Sequence, residues 1–101
     1  MIARIWNGRT VPGNASAYVA HLRNHTFPEL SSIPGHYGGY VLTRARGPIV
    51  EFTVMTLWES LDAIRRFAGD DDPEVAVVPP AAHALLASYD ARAVHWEVAL
   101  P

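Results

Sequence analysis

Hydrophobic positions in the first third of the chain predict a strand followed by a helix. The stretch from Ile2 to Arg9 is rich in β-branched and aromatic residues, and Pro12-Gly13 closes it as a turn. Asn14 or Ser16 can then cap a helix. Its apolar stripe has the helical spacing i, i+3, i+4 and i+7 and consists of Ala15, Tyr18, Val19 and Leu22.

Two further strands are predicted in the middle of the chain, from Tyr37 to Arg44 and from Val50 to Trp58. Gly38-Gly39 inside the first of them indicates a bulge or a close approach of two backbones. In the second, the side chains of Val50, Phe52 and Val54 share one face, because strand side chains alternate.

A second helix begins after the capping residue Ser60 and ends at Gly69, which suits the left-handed position after a helix. Its buried stripe is expected to contain Leu61, Ile64, Phe67 and Ala68. A short apolar helix from Pro80 to Leu86 and a fourth strand from Ala93 to Leu100 complete the pattern.

The resulting β-α-β-β-α-β order predicts an α+β fold in which a four-stranded antiparallel sheet carries its main helices on one face. The other sheet face is then uncovered. Large apolar strand residues such as Trp6, Phe52 and Trp96 occur throughout, and some must lie on that face. A bare apolar sheet face usually finds a partner, so we expect a homodimer.

Composition narrows the possible chemistry. The 101 residues predict one domain spanning 1–101. The net charge of −2 offers no basic patch for nucleic acid, and no apolar run is long enough for a membrane span. No signal peptide precedes the first strand, so we expect a cytoplasmic protein. The chain has no cysteine, and all eight basic residues are arginines, which excludes thiolate and Schiff-base chemistry.

Several short motifs occur in a characteristic order along almost the whole chain. They are Ile2-Ala3-Arg4-Ile5-Trp6, Ile33-Pro34-Gly35, Leu57-Trp58-Glu59-Ser60-Leu61-Asp62-Ala63-Ile64, Phe67-Ala68-Gly69-Asp70 and Val94-His95-Trp96-Glu97-Val98. Together they resemble the short, one-domain members of the antibiotic biosynthesis monooxygenase family. The most specific piece is the Trp58-Glu59-Ser60 junction between strand and helix.

The resemblance implies a ferredoxin-like domain that dimerises through its sheet faces into a dimeric α/β barrel. It also implies one of three functions. The first is a cofactor-independent monooxygenase that oxidises a small electron-rich aromatic, such as a quinol or polyketide-like molecule, with dioxygen. The second is a haem-binding, haem-degrading monooxygenase. The third, from a different class, is a small-molecule-binding or stress-related dimer without catalysis.

Asn7 and His83 are the candidate catalytic residues. Haem-degrading relatives carry an asparagine at the strand position of Asn7, where an amide can hold a substrate or oxygen intermediate by a hydrogen bond. An asparagine that merely satisfies the following turn is the alternative. His83 is a possible general base, and haem-degrading relatives have their iron-binding histidine in this region. An exposed helix histidine without a function is the alternative.

Four residues are candidates for substrate binding. Phe67 stands where the haem degraders carry a tryptophan that presses on the porphyrin, which weakens the haem hypothesis. Leu61 shares its helix stripe, and Trp58 lies at the strand-helix junction; core packing is the alternative for these residues. His25 shares a helix face with Tyr18 and can line a cavity.

His21 and His25 stand four residues apart, a spacing that also suits zinc. No glutamate follows in the zinc-protease pattern and no third ligand is evident, so we expect no metal site.

These candidates lead to a specific geometric expectation. Asn7 lies on the same side of the first strand as Ala3 and Ile5, and small Ala3 leaves room beside it. The Pro80 to Leu86 segment can close the open end. We therefore expect Asn7 and His83 to line one enclosed pocket between helices and sheet.

Overall fold

A computed structural model describes residues 1–101 and contains five strands and four short α-helices. The strands are β1 (Ile2–Thr10), β2 (His36–Arg46), β3 (Ile49–Trp58), β4 (Ser88–Tyr89) and β5 (Val94–Glu97). The α-helices are α1 (Ala15–His21), α2 (Phe27–Ser31), α3 (Leu61–Ala68) and α4 (Pro80–His83). A 3-10 turn at Pro12–Asn14 precedes α1, and a π-helical turn at Leu22–Thr26 joins α1 to α2.

The sheet has the order β2-β3-β1, and both β4 and β5 pair with the free edge of β1. All pairings are antiparallel. The predicted α+β fold is therefore confirmed. The register shifts between His36 and Gly38, and a Cβ on Gly39 would lie 2.0 Å from the Met55 carbonyl oxygen. Both features that the Gly38-Gly39 pair predicts, the bulge and the close approach, are present.

The predicted last strand, Ala93 to Leu100, is shorter in the structure, Val94–Glu97, and a two-residue strand that was not predicted, Ser88–Tyr89, precedes it. Ser88 and Tyr89 pair with the end of β1, while Val94–Glu97 pairs with its beginning. Between them Arg92 leaves the sheet, forms a bridge with Val75 and makes an ion pair with Asp72 at 2.8 Å. These contacts draw the chain away from β1 and interrupt the ladder.

The first helix is also interrupted, and Pro28 lies next to the interruption. The Phe27 N–H donates to the Leu22 carbonyl, a span of five residues that is typical of a π turn. Proline has no N–H for the usual helical bond. By contrast, α3 forms as predicted: the Ser60 hydroxyl accepts from the Ala63 N–H at 3.2 Å, and Gly69 ends the helix at φ 94°.

The core lies between the helices and one face of the sheet. Tyr18 packs edge-on against Phe52 with ring centroids 4.9 Å apart, and Trp58 is stacked on Phe67 at 6.0 Å. Phe52 and Trp58 are fully buried. Since Trp6 is the cross-strand partner of Val54, the even-numbered residues of β1 and β3 share this covered face.

The opposite sheet face carries no helix and exposes large apolar side chains. Trp96 is 59% exposed and Tyr40 is 62% exposed, with Leu42 and Val94 also open to solvent. We call this surface the open face. No helix is long and apolar enough to cross a membrane.

Candidate functional site

A small cavity lies between the covered sheet face and the helices. Its volume is about 50 Å³. β1 and β3 form its floor, the α1–α2 segment and α3 form its walls, and the chain around Val77 and Pro79 closes it. Its lining is Arg4, Trp6, Tyr18, His21, Leu22, Thr26, Leu30, Val54, Thr56, Phe67, Val77, Val78, Pro79 and Ala82. An apolar cavity with a few polar groups is the usual form of a small-molecule site.

His21 supplies an imidazole to this cavity. Its Nε2 is buried and has no hydrogen-bond partner. Its ring stacks on Tyr18 with centroids 6.1 Å apart. Burial lowers the pKa of His21, and the nearby His25 imidazole lowers it further. The neutral form with a free nitrogen lone pair is therefore favoured, which is the state that a general base needs.

Arg4 brings a positive charge to the cavity wall. Its side chain donates to the carbonyl oxygens of Pro73 and Val75, the latter at 3.0 Å, and its Nη1 lies 2.7 Å from Nε2 of His95. Because a guanidinium cannot accept, His95 must accept through Nε2 and is neutral. Burial lowers the pKa of Arg4 to about 10, so it remains a cation at neutral pH.

Two aromatic residues that carry polar atoms, Tyr18 and Trp6, also line the cavity. Burial raises the pKa of Tyr18 to about 12, so its phenol stays protonated. The Trp6 indole N–H donates to the Asp90 carbonyl at 2.7 Å. Its ring lies over Gly8, where a Cβ would come within 2.9 Å of it. Gly8 thus makes room for the indole that lines the cavity.

Asn7 lies on the open face. The Thr53 hydroxyl donates to its side-chain oxygen at 2.7 Å. Both line an open, polar groove of about 490 Å³, together with Arg9, Arg44 and Glu51. In this groove Arg9 pairs with Asp90 at 2.9 Å and Arg44 pairs with Glu51 at 2.5 Å, so the charged groups are already matched.

The expectation that Asn7 and His83 line one enclosed pocket is therefore wrong. Asn7 lies in the groove on the open face, whereas His83 is exposed at the end of α4 and contacts the Tyr89 ring at 5.3 Å. The error concerns which side of β1 faces the helices. Odd-numbered Ala3 and Ile5 look more apolar than even-numbered Arg4, yet the even side faces the helices. A catalytic role for either residue stays a prediction.

The four predicted substrate-binding residues are divided between cavity, core and surface. Phe67 lines the cavity. Leu61 packs in the core around Leu30 and Trp58, and Trp58 is fully buried with its indole N–H on the Thr56 hydroxyl at 2.8 Å. His25 is exposed, with its ring 5.5 Å from that of His21.

Sequence reasoning missed Arg4, and it considered His21 only as a possible zinc ligand. A signal for Arg4 was available, because an arginine inside an apolar strand is rare unless it is paired or functional. His21 stands three residues after Tyr18 on the buried stripe of α1, a spacing that places it near the core. No group of three or more potential metal-ligating side chains occurs in the structure.

The fold recurs in solved structures of other proteins. The haem degrader MhuD of Mycobacterium tuberculosis, with two haems bound in its active site, superposes with a TM-score of 0.62 at 22% identity, covering 100% of this chain and 98% of that chain. A putative antibiotic biosynthesis monooxygenase from Bacillus cereus superposes with a TM-score of 0.69 at 15% identity, covering 100% and 94%.

A third structure is a monooxygenase from the gene ActVA-Orf6 of Streptomyces coelicolor in complex with Nanaomycin D. It superposes with a TM-score of 0.59 at 17% identity, over 99% of this chain and 91% of that chain. No protein-family model matches the sequence, and no curated protein does. At these identities the likeness establishes a shared fold, which confirms the ferredoxin-like domain implied by the sequence motifs.

Proposed function

We propose that this protein belongs to the antibiotic biosynthesis monooxygenase family and is a cofactor-independent monooxygenase of small electron-rich aromatics. The observation that carries the proposal is the small, mostly apolar cavity lined by His21, whose Nε2 is buried and has no hydrogen-bond partner. The shared fold with monooxygenases, one of them in complex with Nanaomycin D, supports it.

The chemistry needs little from the protein. When a phenolic substrate loses its proton, the resulting anion is rich enough in electrons to reduce dioxygen. A phenol and O₂ then give a quinone and water, so the substrate supplies all the electrons and no external reductant is needed. His21 accepts the proton, Tyr18 offers a hydrogen bond, and the apolar walls exclude water.

Cavity size favours a small substrate. An engineered cavity of roughly 150 Å³ is enough to bind benzene, whereas the cavity here measures about 50 Å³. A single ring therefore requires the closing segment around Val77 and Pro79 to move outward. Val77 is exposed, and little packing holds its side chain in place.

Oxygen uptake with monocyclic hydroquinones and hydroxynaphthalenes tests the proposal. His21→Asn should lower the rate by about 10²-fold or more, the usual contribution of a general base. The matched control is His83→Asn, which removes an exposed histidine from α4. Activity that survives in His21→Asn contradicts the role of His21, and a loss confined to His83→Asn restores the original assignment. No uptake with any substrate favours the non-catalytic, ligand-binding dimer.

Haem degradation is the second candidate, and the shared fold with MhuD favours it. The cavity does not fit a porphyrin, which is several times larger than a benzene ring. His83, the expected iron ligand, is not part of the cavity lining. We expect weak haem binding, measured by the main haem absorption band. Tight one-to-one binding that is lost in His83→Ala would reverse this ranking.

We also propose a homodimer formed through the open face, as the family resemblance implies. Trp96, Tyr40, Leu42 and Val94 supply the apolar surface for it. The proposed partners are thus a second copy, a small aromatic and dioxygen, and the proposed location is the cytoplasm.

A further inference from the structure

Arg4 is a buried cation that forms no ion pair. The residue is only 5% exposed. All ion pairs in the structure are formed by arginines other than Arg4. Burying a charge is unfavourable unless an opposite charge or strong hydrogen bonds compensate for it. The position of Arg4 therefore calls for an explanation.

Its present partners are neutral and use only part of its capacity. Two are backbone carbonyls, those of Pro73 and Val75, and the third is the neutral imidazole of His95. A guanidinium has five N–H groups, so two remain available. The nearby Glu74 carboxylate raises the pKa of Arg4, but burial lowers that pKa by a larger amount. Glu74 itself pairs with Arg92 at 3.4 Å.

The surroundings of Arg4 are suited to an aromatic anion. Arg4 lines the cavity, and its guanidinium carbon lies 5.8 Å from the centre of the Phe67 ring, which also lines it. Trp6 occupies the neighbouring position on the covered face. A ring between these aromatic walls would present its polar substituent to a cation in an environment of low dielectric constant, where pairing is strong.

We propose that the cavity binds its ligand as an oxyanion on a small aromatic ring, with Arg4 as the counter-ion. The choice of this cavity as the binding site rests on the proposed function, but binding of the anion can be measured without turnover. A phenolate or a carboxylate supplies this chemistry. His21, in the same cavity, is placed to receive the proton of a phenol, and Arg4 then stabilises the charge that remains.

Arg4 also anchors the segment at Pro73 and Val75, so a loss of binding in a variant is not sufficient proof. The decisive measurement is made on the wild-type protein, with 4-nitrophenol as a probe whose phenolate is yellow. We expect saturable binding and a pKa of the bound dye lower by at least one unit than that of the free dye, a tenfold preference for the anion. An unchanged or raised pKa, or no saturable binding, overturns the proposal.

Variants then locate the charge. Arg4→Met should abolish the shift in the pKa of the dye, while Arg4→Lys should retain its direction. Arg9→Met is the matched control, because Arg9 lies on the same strand but on the open face, paired with Asp90. A shift that disappears in Arg9→Met and persists in Arg4→Met assigns the site to the open face and overturns the proposal.

A second pair of probes distinguishes the two sources of the oxyanion. If benzoate binds at least tenfold more tightly than benzamide, its neutral analogue, a carboxylate is accepted. If only the nitrophenol shift is seen, the ligand is a phenolate. Because neither measurement involves oxygen consumption, anion binding without oxygenase activity contradicts only the proposed function, and oxygenase activity without anion selectivity contradicts only this inference.

Discussion

His21→Phe should make the protein more stable and less active at the same time. The structure leaves Nε2 of His21 buried without a hydrogen-bond partner, and such a group costs about 1–3 kcal/mol of stability. Phenylalanine removes this polar atom and keeps a flat ring to stack on Tyr18. The slightly larger ring offsets part of the gain, so we expect a net stabilisation of about 1 kcal/mol.

A gain of this size should be visible as a rise in Tm of roughly 4 °C or more, since 1 kcal/mol shifts Tm by about 4–8 °C in domains near this length. Calorimetry at pH 7.5 measures it, and oxygen uptake measures the loss of activity. The matched control is His36→Phe. His36 also has a buried, unpartnered Nε2 and contacts the Trp58 ring at 4.9 Å, but it lies outside the cavity.

Both variants should therefore be more stable than the wild type, but only His21→Phe should lose activity. A lower Tm for His21→Phe would refute the reasoning, because it would mean that Nε2 has a partner in solution. Full activity in His21→Phe would refute the assignment of the base. An equal loss of activity in His36→Phe would show that the effect is not specific to the cavity.

Three further predictions follow from the packing, the pKa shifts and the open face. Gly39→Ala places a Cβ 2.0 Å from the Met55 carbonyl oxygen and should cost about 1–3 kcal/mol in urea unfolding; Gly13→Ala, which meets open space, should not. Light scattering should give about twice the 11.1 kDa chain mass, and Trp96→Glu should give a monomer; a monomeric wild type contradicts the barrel. Burial lowers the pKa of His21, His36 and His95, so the unfolded state binds more protons than the folded state at acidic pH. The free energy of unfolding should therefore be largest above about pH 6.5 and decrease below it. An equal Tm at pH 7.5 and 5.5 argues against this.

Local signals in the sequence determined most of the fold. The Ser60 cap and Gly69 bound α3 because a hydroxyl can accept the first free N–H and glycine can adopt the left-handed conformation. The Gly38-Gly39 pair marked a bulge and a close contact for the same kind of local reason. The break between β4 and β5 was not predictable, because it depends on contacts of Arg92 with residues about twenty positions earlier in the chain.

The sequence by itself determined where β1, β2, β3 and α3 lie, and it showed that Val50, Phe52 and Val54 share one face of β3. It did not determine which side of β1 joins that face. Ala3 and Ile5 alternate with Arg4 and Trp6, so both sides of the strand are partly apolar and hydrophobic alternation favours the wrong one.

Only the tertiary structure decided this question. The pairing of Trp6 with Val54 places the even side of β1 against the helices and sends Asn7 to the open face. It also brings Arg4 into the same cavity as His21, from a different element. A shift by one residue reverses every side chain of a strand. Register, which arises from long-range pairing, therefore determines which polar groups converge in the candidate site.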